Sequence, residues 1–269
     1  MKIRTYFSFG VLLPLVSIAA LATQSTSLEM QLGNPSNAST TSSNHNHYLL
    51  KCAQYSMDYS DNNGEPNWVS WDLTTSDIGS AGRSSSFYAD TRLPSGFYKV
   101  TESDYTGSGF DRGHMCPSAD RTDTSADNKV VFYMSNILPQ TADNNQGPWE
   151  RFESYCRTLA QSGNEILIIS GPSSFSGSYI SSGVAEIPGY TWKIAVVVPS
   201  GSGTAASRIN TSTRVIALKV PNISGIRSNP WQNYITSAAQ IQSATGFTFF
   251  TALPSSVATV LRAKVDSGS

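Results

Sequence analysis

Three apolar, β-branched runs, "EILIISG", "WKIAVVVP" and "TRVIALKVP", lie between residues 165 and 221 and constrain what this chain can become. Their composition and length read as buried strands, and the Gly, Pro and Ser clusters that bound them break the chain into turns. Upstream, "NWVSWDL" over 67–73 alternates Trp68, Ser70 and Asp72 against Val69, Trp71 and Leu73, a further strand pattern. Two helices accompany these strands. The first follows "NNQGPW", with Gly147 as cap, Pro148 in the first turn, and Trp149, Phe152, Cys156 and Leu159 on one face. The second spans "NPWQNYITSAAQIQSATG", started by Pro230, stopped by Gly246 and packed through Trp231, Tyr234, Ile235 and Ile241. The expected fold class is α+β, a central mostly antiparallel sheet with helices packed on it.

The N-terminus indicates the compartment. Lys2 and Arg4 precede "YFSFGVLLPLVSIAALA", and no acidic residue occurs before Glu29. That short apolar run, interrupted by Pro14 and ending in Ala20-Leu21-Ala22, predicts a signal peptide over residues 1–22. The protein is therefore expected to be secreted, extracellular or periplasmic, with no membrane association in its mature form. Residues 23–47 are rich in Ser, Thr and Asn without apolar periodicity and read as a disordered spacer, with His45 and His47 inside it. The folded domain is expected over 48–266. Cys52, Cys116 and Cys156 show no Cys-x-x-Cys spacing, which argues against zinc. In a secreted chain they predict one disulfide and one leftover thiol, with the pairing open. Asn37, Asn210 and Asn222 stand in Asn-x-Ser/Thr sequons.

The formal charge of −1 excludes a generally basic protein that coats nucleic acid, so any polyanion must be gripped by a local cluster. One such cluster is "GFDRGHMCPSADRT", 109–122, where His114 stands between Arg112 and Arg121. His114 is the single histidine of the expected domain. A second segment, "SNILPQTADNNQGPWERFESYCR" over 135–157, adds an amide-rich turn and a helix carrying a carboxylate and a guanidinium. Phosphodiester hydrolysis needs these groups. Imidazole can deprotonate water near neutral pH, guanidinium forks meet phosphoryl charge, and a hard divalent cation takes oxygen ligands. Arginines beside His114 would also disfavour its protonated form. For Glu153 and Arg157 the plain alternative is an ion pair one helical turn apart, worth a few tenths of a kcal/mol. Arg92 and Arg121 read as solvated charges, and Trp68, Trp71, Trp192 and Trp231 as core. Asp111 has no single assignment: Arg112 and the local backbone are both candidate partners.

With these segments in view, the chain resembles the DNA/RNA non-specific endonuclease family, the ββα-metal nucleases, particularly its secreted bacterial and cyanobacterial members. The likeness rests on "DRGH" followed by "SNILPQTADNNQGPWERFESYCR", runs from about Tyr48 to Val265, and includes "NWVSWDL", "ISGP" and "TWKIAVVV". The resemblance implies a ββα-metal nuclease domain. It places the general base on His114, the metal-binding asparagine on Asn145, the water-holding glutamate on Glu153 and the helical arginine on Arg157. Arg112 is the tetrapeptide arginine, Asn136 helps arrange the site, and the phosphate-contacting arginine is Arg83, with Arg92 as competitor. The implied cofactor is Mg²⁺, with Mn²⁺ or another divalent ion as alternative. The implied partners are DNA and RNA, bound through the phosphate backbone, and a protein inhibitor is compatible. The implied chemistry is one in-line attack by water giving 5′-phosphate and 3′-hydroxyl ends, slowing as pH falls below the usual imidazole value of about 6.5. Two rival readings are a catalytically inactive secreted nucleic-acid-binding or interaction module on the same scaffold, and a phosphodiesterase of small esters.

Overall fold

The computed structural model describes residues 28–269, so the expected signal peptide over 1–22 lies outside the described residues. The strands are β1 Tyr48–Lys51, β2 Ser56–Ser60, β3 Glu65–Leu73, β4 Asp111–His114, β5 Ile137–Gln140, β6 Asn164–Tyr179, β7 Glu186–Pro199, β8 Arg214–Pro221 and β9 Ile235–Thr236. The helices are α1 Ser125–Val130, α2 Ala142–Asn144, α3 Glu150–Gln161, α4 Ala205–Arg208, α5 Ala238–Thr245 and α6 Ser255–Ala263. Seven strands form an antiparallel sheet in the order β1-β2-β3-β6-β7-β8-β9, and β4 and β5 pair separately. All three apolar runs and "NWVSWDL" are strands of the large sheet, with Trp71 opposite Ile168 and Ile168 opposite Ala195.

The sheet is covered on both faces, which is why its central strands are apolar at consecutive positions. One face buries Val69, Trp71, Leu73 and Ala195 against Phe152, Cys156 and Ala160 of α3 and Leu138 of β5. The other buries Trp68, Leu167, Trp192 and Ile194 against Ile241 of α5 and Leu261 of α6. The pair β4–β5 and helix α3 thus sit together on one face, with Asp111 opposite Gln140 and His114 opposite Ile137. Gly113 allows this pairing: a Cβ there would lie 1.9 Å from Gln140 Oε1.

The two expected helices are re-divided. The chain enters α3 from α2 through a wide turn over 145–149; Thr141 caps α2, its Oγ1 accepting from Asn144 N (3.3 Å), while the cap position of α3 is Trp149, in helical conformation, and not Gly147. Gly147 has non-helical φ/ψ of −116° and −119°, and a Cβ there would stand 2.9 Å from Arg227 Cα. The segment read as one helix after Pro230 is a 3-10 turn over Trp231–Tyr234, strand β9, and then α5. Trp231 and Tyr234 pack on the α3 face of the sheet, whereas Ala238 and Ile241 pack on the opposite face. A single helix cannot serve both faces, so the chain crosses the sheet edge by pairing Ile235 with Leu218.

The expected disordered spacer is corrected over 28–47. Met30, Leu32 and Ala38 are buried in the α5–α6 layer. Asn34 pins a turn through Ala38 N (3.0 Å) and O (2.8 Å), which accounts for polar residues in an ordered segment. Ser36 Oγ donates to the buried Asp58 carboxylate (2.6 Å), which also meets His47 Nδ1 at 2.8 Å. His45 bonds Asp61 (2.7 Å) and stacks on Phe97. The expected disulfide is corrected as well. Cys52, Cys116 and Cys156 are free thiols; the latter two pack as buried apolar groups, and Cys52 Sγ donates to Tyr55 O at 3.1 Å. Of the sequons, Asn222 is buried, its Nδ2 donating to Pro139 O and Pro188 O, so it is closed to glycan addition in the folded chain.

Deleting residues 28–47 should strip Asp58 of two partners and uncover the far face. Burial of Met30 and Leu32 alone stabilises by about 1.5–3 kcal/mol each. A chain starting at Tyr48 should therefore unfold at distinctly lower urea than one starting at Leu28; equal midpoints would show that the segment contributes nothing.

Candidate active site

Strand β4, the turn after α2, helix α3 and the loop around residue 83 enclose a cavity of about 460 Å³. Arg83, Arg112, His114, Asn145, Glu153 and Arg157 all line it. Asn136 does not. It is fully buried, taking Cys116 N on Oδ1 (3.0 Å) and donating Nδ2 to Cys116 O and Val131 O (both 2.9 Å). It therefore fixes the chain just beyond His114.

His114 is 7% exposed, with its ring against Phe87 and edge-on to Phe132 at 4.7 Å between centroids. Its Nε2 is enclosed and has no hydrogen-bond partner among the described residues, and the residue lines the cavity. Burial first, and then the charges of Arg83, Arg112 and Lys193, push its pKa down to about 3. The imidazole is thus held as a free base at neutral pH. This moves the expected acid limb down from the ordinary imidazole range.

The arginines divide by partner. Arg83 has no ion-pair or hydrogen-bond partner among the described residues, and its guanidinium lies over Phe132 at 4.9 Å. Burial lowers its pKa. Arg112 pairs with Glu102 at 2.7 Å and lies over Phe87. Arg92, the competitor for the phosphate position, is locked onto both oxygens of Asp90 (2.8 and 2.7 Å) and does not line the cavity. Nor is it an ordinary solvated charge. Arg121 is also corrected: it is buried, donating to Gln54 O and Asp72 O at 2.8 Å.

Glu153 and Arg157 do not pair with each other, in place of the expected helical pair. Glu153 Oε1 accepts from Lys193 Nζ at 2.8 Å, and Arg157 Nη1 donates to Asp120 Oδ1 at 2.9 Å. Each finds a more buried partner than its helical neighbour. Burial raises the Glu153 pKa, with Lys193 and Arg157 pulling the other way. Asp120 also accepts Trp71 Nε1 (3.0 Å), and Lys193 Nζ lies over the Trp149 ring at 4.2 Å. Lys193 and Asp120 escaped the sequence reading. Lys193 had a signal, a single charge inside the apolar run "WKIAVVVP"; Asp120 lies inside the segment 109–122, which gave it no role of its own.

Among the described residues the Asp111 carboxylate is engaged by neither Arg112 nor the local backbone, the two candidates. Its Oδ2 accepts Nδ2 of Asn145 (2.9 Å) and Nε2 of Gln146 (2.7 Å), while Asn145 Oδ1 has no partner among the described residues. No group of three His, Cys, Asp or Glu side chains that could hold a metal occurs among the described residues. An amide oxygen without a partner among the described residues, in the cavity that Glu153 also lines, fits a hard cation that keeps most of its waters. A second cleft of about 380 Å³ shares Arg83, Arg112, Asn145 and Gln146 and extends along Phe87 and Phe110.

Two paired strands and a helix carrying a free-base imidazole, a lone amide oxygen and a carboxylate, packed on an antiparallel sheet, define a ββα nuclease. Residues 32–256 match the DNA/RNA non-specific endonuclease family, and the chain belongs to that family of divalent-metal-dependent endonucleases. It is 41% identical over 243 residues to a nuclease of Nostoc sp. strain PCC 7120, covering 90% of this chain and 88% of that one. It is 27% identical to Nuclease C1 of Cunninghamella echinulata var. echinulata, covering 82% and 86%. The fold matches a chain in the crystal structure of an EndoG/EndoGI complex with a TM-score of 0.70 at 21% identity, covering 87% of this chain and 94% of the other.

Because the His114 pKa is pushed down to about 3, kcat/KM should stay level through pH 6.5, and its acid limb should lie lower. A profile from pH 8 to 4.5 with its midpoint near 6.5 would contradict this. Lys193→Met should leave the Glu153 carboxylate without its buried cation and destabilise by about 3 kcal/mol, read by urea unfolding.

Proposed function

We propose that this protein is a secreted, Mg²⁺-dependent, sugar-non-specific endonuclease that uses His114 as general base and leaves 5′-phosphate and 3′-hydroxyl ends. The observation that carries the reading is a free-base imidazole lining a cavity that also holds an amide oxygen and a guanidinium without partners among the described residues. His114 Nδ1 takes a proton from water, and the oxygen so activated attacks phosphorus in line. Arg83, free of other partners and braced on Phe132, meets the phosphoryl charge. Arg157, held by Asp120, supports it from the opposite element. Asn145 Oδ1 would hold Mg²⁺, and Glu153 would order water around it. When bound, that cation supplies Lewis-acid charge for the departing 3′-oxygen. Phe87 and Phe132 exclude bulk water from the base, which keeps it neutral.

Action on both DNA and RNA fits this set, because its groups address phosphate and water, not base edges. The second cleft continues the first along shared arginines, which favours a polymer over a small ester. Secretion rests on the signal sequence, and Thr23 would be the first residue of the exported chain. A complex of EndoG with an inhibitor among the structural neighbours supports a protein inhibitor as a regulatory partner here.

Nicking of plasmid DNA and digestion of RNA should both stop with EDTA and return with added Mg²⁺. Ends ligatable without kinase treatment should accumulate. His114→Ala should lower kcat by roughly 10²–10⁴ with the fold intact. Near-normal cleavage by that variant would remove His114 as base.

A further inference from the structure

We infer that Asp111 is the positioning residue of the metal site: it accepts the amide N–H groups of Asn145 and Gln146 and so turns Asn145 Oδ1 toward the cation. The inference rests on the reading of Asn145 as the protein group that holds metal. An asparagine amide is nearly the same shape with its oxygen and nitrogen exchanged, so packing alone does not choose which end faces the cavity. A carboxylate oxygen only accepts. Asp111 Oδ2 lies 2.9 Å from Asn145 Nδ2 and 2.7 Å from Gln146 Nε2, so both side chains present N–H to it. The exchanged amide would set oxygen against oxygen at the carboxylate and aim an N–H at a cation.

Asp111 is well placed to hold this orientation. It belongs to β4, paired with Gln140 of β5, so its backbone is fixed by the strand pair that also carries His114. Asn145 and Gln146, by contrast, lie in the irregular turn between α2 and α3. The carboxylate ties that turn to the strand pair. Arg83 and Arg112 line the adjoining cleft together with Asp111, Asn145 and Gln146, yet neither forms an ion pair with Asp111 or captures Asn145 Oδ1; Arg112 is engaged by Glu102. The carboxylate also places negative charge beside the cation position, offsetting those two guanidinium groups. Since no carboxylate or imidazole cluster exists among the described residues to supply affinity by number, the orientation of one amide oxygen carries unusual weight.

The test is Mn²⁺ binding to the full-length protein, titrated by the electron-spin signal of free Mn²⁺, with metal-dependent kinetics alongside. Asp111→Ala should weaken Mn²⁺ by roughly 10- to 100-fold, the usual effect of removing a group that orients a ligand. Asp111→Asn keeps one acceptor oxygen without the charge, and its loss should be smaller. In cleavage assays the metal concentration for half-maximal rate should rise in both variants, with kcat at saturating metal largely retained. Unfolding curves establish that each variant is folded, and Asp111→Asn serves if Asp111→Ala is not. Unchanged Mn²⁺ affinity in folded Asp111 variants, beside weakened binding in Asn145→Ala, would overturn the assignment of Asp111 alone. Unchanged affinity in Asn145→Ala would overturn the reading of Asn145, and the inference with it.

Discussion

The Lys193–Glu153 contact joins the two layers on which the site depends. Lys193 rises from the middle of β7, 1% exposed, and Glu153 descends from α3 to meet it at 2.8 Å. An ammonium in such a place is costly unless it is paired. Here it has a carboxylate and the face of Trp149 at 4.2 Å, and Trp71 stands nearby. The pair fixes the height and rotation of α3 over the sheet. It also determines where Glu153 can stand, at the floor of the cavity and not out in solvent. The same ammonium adds to the positive potential that keeps His114 unprotonated.

That potential gives the site its chemical character. A chain of overall charge −1 concentrates Arg83, Arg112, Arg157 and Lys193 around one imidazole. After burial, the charges of Arg83, Arg112 and Lys193 further disfavour protonation of His114. Partner assignments distinguish the arginines. Asp120, Asp90 and Glu102 engage Arg157, Arg92 and Arg112, leaving Arg83 as the unpaired guanidinium of the cavity. Aromatic faces then hold Arg83 and Arg112 without neutralising them.

Much of this was readable in advance. The buried strands and the apolar face of α3 follow from local pattern, and His114, Asn145 and Glu153, singled out through residue chemistry and the family resemblance, line one cavity. What was misread shares one cause, a residue's partner lying far away in sequence. Composition made residues 28–47 look unfolded, because the carboxylate that orders Ser36 and His47 is Asp58 on another strand. Helical spacing paired Glu153 with Arg157, whereas the burial of Lys193 and Asp120 offered each a better partner. The expectation of export suggested a disulfide, yet Cys116 and Cys156 are used as apolar core.

By itself, the sequence determined which segments must be buried and which few side chains are candidates for chemistry, since apolar periodicity and side-chain type are properties of short stretches. Tertiary structure decided everything that depends on neighbours. It set the direction of the His114 shift, the freedom of Arg83, the division of one expected helix across two faces of a sheet, and the orientation of Asn145 by Asp111. Electrostatics and hydrogen bonding act through space, and the distances that govern them exist only once the chain has folded.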